Sequence, residues 1–270
     1  MRGLVALTVS AALLAGCSSG QRKPSPRALK QIDRALERAP GKAQPSIIVK
    51  TELALNRVAR DSGQVDAYRQ FAAPNAKIHT EGGVQEAADL FSRFGNPNQT
   101  SKFDTKSVWM SCDGSVAVSQ GRGTDPDGKV GTYIFVWERQ AGIRPDGDEE
   151  TGYRYIYFAA AADDPQPAPR PPEPAPKPGD IVVEALDAVK ADIARCVKKG
   201  DPLVMPVLST HVTGTVFGGG PSSDGTLNYG WAHKPNGSRG FDAWLLRKDD
   251  RQNVLTWNVA ADGSSTLTVP

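Results

Sequence analysis

Val108-Trp109-Met110-Ser111-Cys112-Asp113-Gly114-Ser115-Val116-Ala117-Val118-Ser119-Gln120-Gly121 opens the informative half of this chain. A loop holding Asp127-Gly128 follows, then Thr132-Tyr133-Ile134-Phe135-Val136-Trp137-Glu138-Arg139, and later Tyr153-Arg154-Tyr155-Ile156-Tyr157-Phe158. Short apolar and aromatic runs separated by Asp-Gly pairs are a strong hairpin signal, so residues 108–158 predict an antiparallel meander. Strand alternation puts Tyr133, Phe135 and Trp137 on one face and Ile134 and Val136 on the other. Both faces are apolar, which predicts a strand covered on both sides. The same period places Tyr153, Tyr155 and Tyr157 together, opposite Arg154, Ile156 and Phe158. Paired in register, these tyrosines, Trp137 and Trp109 form a candidate pocket surface, because each buried hydroxyl needs a partner that a ligand can supply.

Upstream, Leu55, Val58, Ala59, Val65, Tyr68, Phe71 and Ala72 recur at spacings of three and four, the mark of helix, with a break at Asp61-Ser62-Gly63. Pro74-Asn75 ends it, and Ala76-Lys77-Ile78-His79-Thr80 reads as a strand before a Gly82-Gly83 turn. A second helix is predicted over 84–94, closed by Gly95-Asn96-Pro97. Helix, strand, helix and then several strands is an α+β order.

Two stretches carry a resemblance. Phe71-Ala72-Ala73-Pro74-Asn75-Ala76-Lys77-Ile78-His79, and the later Asp113-Gly114-Ser115-Val116-Ala117-Val118-Ser119-Gln120-Gly121 with its following Gly131-Thr132-Tyr133-Ile134-Phe135-Val136-Trp137 strand, resemble the nuclear transport factor 2-like (polyketide cyclase-like, SnoaL-like) superfamily. The resemblance implies a cone: a curved antiparallel sheet wrapped round helices, with a pocket at its open end. It covers residues 46–162. Enzymes of that superfamily place a carboxylate or an Asp–His pair in the pocket as general base, beside a donor for the developing oxyanion. The groups eligible here are His79 and, two residues on along the strand, Glu81; Asp66 is read as solvent-facing. No Asp–His spacing is available to carry over.

The amino terminus adds an address. Arg2, the apolar run 4–14 and Leu14-Ala15-Gly16-Cys17 make a secretory signal over 1–16 whose last four residues resemble the lipobox of bacterial lipoproteins. The resemblance implies acylation of Cys17 and a membrane anchor. Ser18 after the cysteine implies the outer membrane, facing the periplasm. Residues 17–45 read as a tether. Pro165, Pro167, Pro169, Pro171, Pro172, Pro174, Pro176 and Pro178 mark 163–180 as a semi-rigid spacer. A small, mainly β domain is predicted over 181–270, entered through a helix or a strand containing Val182, Leu186, Val189, Ile193 and Val197, with helix slightly favoured. Turns are expected at Ser223-Asp224-Gly225, Asn236-Gly237 and Asp262-Gly263, and Gly218-Gly219-Gly220-Pro221 reads as a loop with no phosphate-binding helix behind it.

Composition excludes some classes. With 32 basic and 30 acidic residues the chain lacks the excess positive charge that nucleic acid requires. Cys112 and Cys196 are candidates for a disulfide in an oxidising compartment. His211 and His233 are isolated, and the acidic run 146–150 lacks an EF-hand ladder, so no metal and no cofactor is expected. The expectation is a lipid-anchored envelope protein that binds a small molecule or a protein without catalysis. The alternatives are an isomerase, dehydratase or hydrolase using the cone pocket, and a dimerising structural protein.

Overall fold

The structure, a computed structural model, describes residues 43–97, 99–140, 152–168, 188–197, 213–248 and 250–270. The signal, Cys17, the tether as far as residue 42, the acidic run 146–150, His211 and most of the Pro-rich spacer lie outside them.

Helix α1 (Pro45–Ser62) starts with proline in its first turn, where a missing N–H costs nothing, and ends where Gly63 turns to φ 112°. A side chain at position 63 would also run into the amide of Asn96, which accepts from the Val65 N–H at 2.8 Å and so caps α2 (Gln64–Phe71) from a distant loop. Strand β1 (Ala72–Thr80) follows without a break, then β2 (Gly83–Glu86) and the short α3 (Ala87–Ser92). The single helix expected over 84–94 is therefore strand in its first three residues and helix only over Ala87–Ser92. Residues 83–86 pair with β1 from Lys77 to Thr80, and that ladder outweighs local helix preference.

The meander is β3 (Lys102–Met110), β4 (Val116–Thr124), β5 (Val130–Arg139) and β6 (Tyr153–Ala162). With β7 (Lys190–Ile193) it completes a seven-stranded sheet of order β2-β1-β6-β5-β4-β3-β7. The sheet is mixed rather than wholly antiparallel, since β1 runs parallel to β6 and β7 parallel to β3. Residues 190–193 form strand rather than helix because the edge of β3 is open to them and pairs with each of the four. This strand lies beyond the spacer yet belongs to the first sheet.

Strand β5 sits at the centre of that order, and its two faces feed two cores. Tyr133, Phe135 and Trp137 pack with Ile48, Leu55 and Phe71 on the helix side. Ile134 and Val136 pack on the other side against a second sheet. That sheet contains β8 (Val216–Pro221), β9 (Leu227–His233), β10 (Arg239–Arg247), β11 (Asp250–Val259) and β12 (Ser265–Thr268), in order β12-β11-β10-β9-β8. Gly218-Gly219-Gly220-Pro221 is thus part of an edge strand and not a loop. Glycine lets it lie close to β9: a side chain on Gly218 would meet the Trp231 ring. The centre of the contact between the sheets is apolar, with Val118, Ile134 and Tyr157 facing Leu227, Phe241 and Trp257.

The second sheet repeats the meander of the first. Ser111-Cys112-Asp113-Gly114-Ser115 and Ser222-Ser223-Asp224-Gly225-Thr226 turn their hairpins with the same bonds: Oδ1 of each aspartate accepts from the Ser/Thr N–H and hydroxyl two residues on, and from the serine hydroxyl two residues back. Register agrees as well. Val118 pairs with Val136, and its counterpart Tyr229 pairs with Ala243. Each meander has one bulge between its third and fourth strands, at the step Val136/Trp137 in the first and Ala243/Trp244 in the second. The two turns clasp each other reciprocally. Cys112 N–H donates to Thr226 Oγ1 at 2.9 Å, and Ser223 N–H donates to Ser115 Oγ at 3.0 Å.

A covalent bond reinforces the clasp. Cys112 is joined to Cys196, with Cα atoms 5.0 Å apart at a sequence separation of 84. Replacing both cysteines with serine should lower the unfolding free energy by about 2–5 kcal/mol, because the open chain regains loop entropy. Urea unfolding of the pair of proteins measures it, and a difference under about 1 kcal/mol would show the noncovalent contact to be sufficient.

Candidate functional site

Glu52 is the group that the helix side is built around. It falls on the buried stripe of α1 with Ile48, Leu55 and Ala59, and is 1 % exposed. Its carboxylate reaches into the concave face of the sheet and receives four donors. Oε2 accepts from Thr105 Oγ1 at 2.6 Å and from the Tyr133 hydroxyl at 2.7 Å. Oε1 accepts from Ser119 Oγ and, at 3.2 Å, from Trp137 Nε1. Burial raises the carboxyl above the ordinary glutamate range, and the four hydrogen bonds pull it back. Sequence reading passed over Glu52, although an acidic residue at i+4 from Ile48 and i−3 from Leu55 on an apolar stripe was the available signal.

Tyr133 connects this carboxylate to a cavity of about 280 Å³. Tyr68, Phe103, Tyr133 and Phe158 give it ring walls, Gly123 and Gly131 leave it room, and Asp125 and Lys129 stand among its lining residues. The rings pack on one another, Tyr68 on Phe158 at 5.3 Å and Phe103 edge-on to Tyr133 at 4.9 Å between centroids. Gly121 is needed close by, since a Cβ there would lie 2.5 Å from the Tyr133 hydroxyl. Burial and the Glu52 charge hold the Tyr133 phenol well above its usual range, so it stays a proton donor.

The residues expected to form one pocket separate onto two faces. Tyr133, Trp137, Tyr153 and Tyr155 belong to the helix-side core; His79, Trp109 and Tyr157 lie beneath the second sheet. The tyrosine stripe is broken at Ile156. Trp137 pairs with Tyr155 and Val136 with Tyr157, so Ile156 is the extra residue of a bulge and turns Tyr157 to the opposite face. Tyr153 and Tyr155 donate to backbone carbonyls of Gly114 and Tyr68, which satisfies their hydroxyls within the protein. Of the expected set only Tyr133 lines the cavity.

His79 joins the two sheets instead. It is 2 % exposed, with Nδ1 2.8 Å from the Tyr157 hydroxyl and Nε2 3.1 Å from His233 Nδ1. Trp231 meets it edge-on at 5.6 Å. Burial, then the neighbouring His233 and Arg239, push the His79 imidazole down to about 3. His233, read as isolated, is its partner. Glu81 is exposed on the turn after β1, where its charge acts on Arg239 rather than on His79. Among the described residues no group of three or more His, Cys, Asp or Glu side chains could hold a metal ion.

No protein-family model and no curated protein matches the chain. Solved structures similar to it include an NTF2-like protein of unknown function from Shewanella baltica, 14 % identical, covering 43 % of this chain and 91 % of its own, with a TM-score of 0.32. A candidate aromatic ring hydroxylase from Novosphingobium aromaticivorans is 14 % identical over 43 % of this chain and 86 % of its own, TM-score 0.30. A candidate ketosteroid isomerase from Shewanella frigidimarina is 16 % identical over 41 % of this chain and 91 % of its own, TM-score 0.29.

Proposed function

We propose that this is a lipid-anchored protein of the bacterial envelope whose cone cavity binds a small, ring-bearing, largely apolar molecule without transforming it. The observation that carries the binding reading is the pairing of a ring-walled cavity with a saturated carboxylate. Each oxygen of Glu52 already takes two donors, so no lone pair is directed at a guest, and the cavity itself offers four aromatic rings among small residues. The anchor rests on the lipobox-like Leu14-Ala15-Gly16-Cys17, and the Cys112–Cys196 bond fits an oxidising compartment. Among the described residues no helix is long and apolar enough to cross a membrane. A homodimer would need a surface other than the face of the first sheet that the second sheet covers.

Gly123 provides the test. It lines the cavity, and a Cβ there would stand 3.7 Å from the Phe103 ring, ordinary contact, so Gly123→Leu fills the cavity without a backbone clash. Thermal-shift and native mass measurements against a panel of flat polycyclic molecules should find ligands for the natural chain, with affinity falling more than about tenfold in the variant. Equal binding by both proteins would remove the cavity reading. Labelled fatty acid should enter the natural chain and not Cys17→Ser.

One observation favours a catalytic reading: the burial-raised Glu52 carboxyl touches Tyr133, which faces the cavity. In that reading the pair would act as general acid and base. Turnover of a bound ligand that is lost in both Glu52→Gln and Tyr133→Phe would establish it; chemically unchanged ligand recovered after long incubation leaves binding alone.

A further inference from the structure

The face of the second sheet that points away from the first has a counterpart inside the cone. Register equates Tyr133 with Gly240, Phe135 with Asp242, Tyr155 with Asn253 and Phe158 with Thr256, since each pair stands at the same step of the repeated meander. In the first sheet those rings fill the space beneath α1. In the second sheet the same positions carry no side chain or a short polar one, and among the described residues no helix lies over them. A trough of about 440 Å³ results. Its lining includes Asp242, Asn258 and Thr266, the glycines 230 and 240, and Phe217, which is 61 % exposed.

These groups decide what the trough can hold. An apolar helix like α1 would lay hydrocarbon on Asn258, Thr266 and the second carboxylate oxygen of Asp242 and take water from them without replacing it. Both bonds to Asp242, from Thr256 Oγ1 at 2.5 Å and Asn253 Nδ2 at 3.3 Å, fall on Oδ1, so Oδ2 takes none among the described residues. Gly240 keeps the Asn258 amide in place, for a Cβ there would come within 2.9 Å of its Oδ1. A flat polar floor with fixed acceptors, an amide that both donates and accepts, and one exposed ring at the wall suit a molecule with hydroxyls at its edge and C–H groups on its face. We propose that this trough is a binding site for uncharged pyranose sugars, stacked on Phe217 and hydrogen-bonded by Asp242 and Asn258. Its volume lies within the range of small-molecule sites.

The site is separate from the cone cavity and can be tested apart from it. The mature chain would be titrated with chitotetraose, cellotetraose and maltotetraose by calorimetry and by amide NMR. At least one should bind at millimolar concentration or below, with shifts centred on 230, 240 and 258. Phe217→Ala and Asn258→Ala should each weaken that sugar about tenfold or more, whereas Gly123→Leu in the cone should leave it unchanged. Both altered residues line an open trough, and an unchanged melting temperature checks that the fold survives. Failure of all three sugars to bind, or binding that neither trough substitution weakens, overturns the proposal.

Discussion

Replacing Glu52 by alanine will cost the folded state on the order of 3–5 kcal/mol, a large share of what a protein of this size has to lose. The effect comes from what remains behind. Thr105, Ser119, Tyr133 and Trp137 lie on the buried concave face, and their donors converge on the missing carboxylate. Each buried donor left unmet costs roughly 1–3 kcal/mol, less where it keeps another acceptor, as Trp137 Nε1 does by donating to Ser119 Oγ at 3.0 Å. Glu52→Gln should be milder, about 1–3 kcal/mol, because its amide oxygen still serves two donors while its NH2 faces the other two. Urea unfolding at neutral pH gives both numbers. A loss below about 1 kcal/mol in Glu52→Ala would mean that water or a side chain takes the place of the carboxylate, and that α1 is held by apolar packing alone.

Acid should loosen the union of the two sheets through His79. In the unfolded chain this imidazole takes a proton near its ordinary 6.5, whereas in the folded protein it does so only at about 3. Between those values the unfolded chain binds the extra proton, so stability is greatest above pH 6.5, declines as pH falls, and stops declining on this account below about 3. The full difference corresponds to about 5 kcal/mol at most. Burial gives the first reason: the imidazole is 2 % exposed beneath the second sheet, with Tyr157 on β6 and His233 on β9 at its two ring nitrogens. Arg239 on β10 adds positive charge, and Glu81 beyond β1 offsets part of it. Glu52 works the other way, since a carboxyl raised by burial favours the folded state at lower pH. The His79 contribution is therefore read from the difference between the natural chain and His79→Gln, both unfolded in urea from pH 4 to 8. A widening gap in favour of the variant as pH falls is expected; parallel curves would reject the assignment.

Much of the architecture could be read before any coordinates. Alternation in 133–137 showed a strand with two apolar faces because a central strand between two cores leaves no room for polar side chains. The Asp-Gly and Asn-Gly pairs marked hairpins because the turn requires left-handed backbone at glycine, as Gly114, Gly128, Gly225, Gly237 and Gly263 show. What escaped depended on partners distant in sequence. The bulge at Ile156 leaves no mark in a tyrosine alternation, yet it sends Tyr157 to the other face. Strand β7 becomes strand only because β3 offers an edge. Glu52 looks like an ordinary helix glutamate until the four donors from three strands are placed round it. The repeat was hidden because the two meanders share turn chemistry and register while their side chains differ: rings under a helix in one, glycine and short polar groups in the other.

The reciprocal clasp and strand β7 bear on how such a chain can be built. The Pro-rich stretch is a boundary of composition, but the first sheet lacks its last strand and one of its two coverings until residues beyond that stretch arrive. Cut before residue 163, the amino-terminal part would keep Ile134, Val136, Trp109 and Tyr157 on an uncovered face, an adhesive surface. During synthesis the same face stays bare until the carboxyl-terminal meander emerges. The first sheet therefore has its last strand and both coverings only when the residues beyond the spacer are in place.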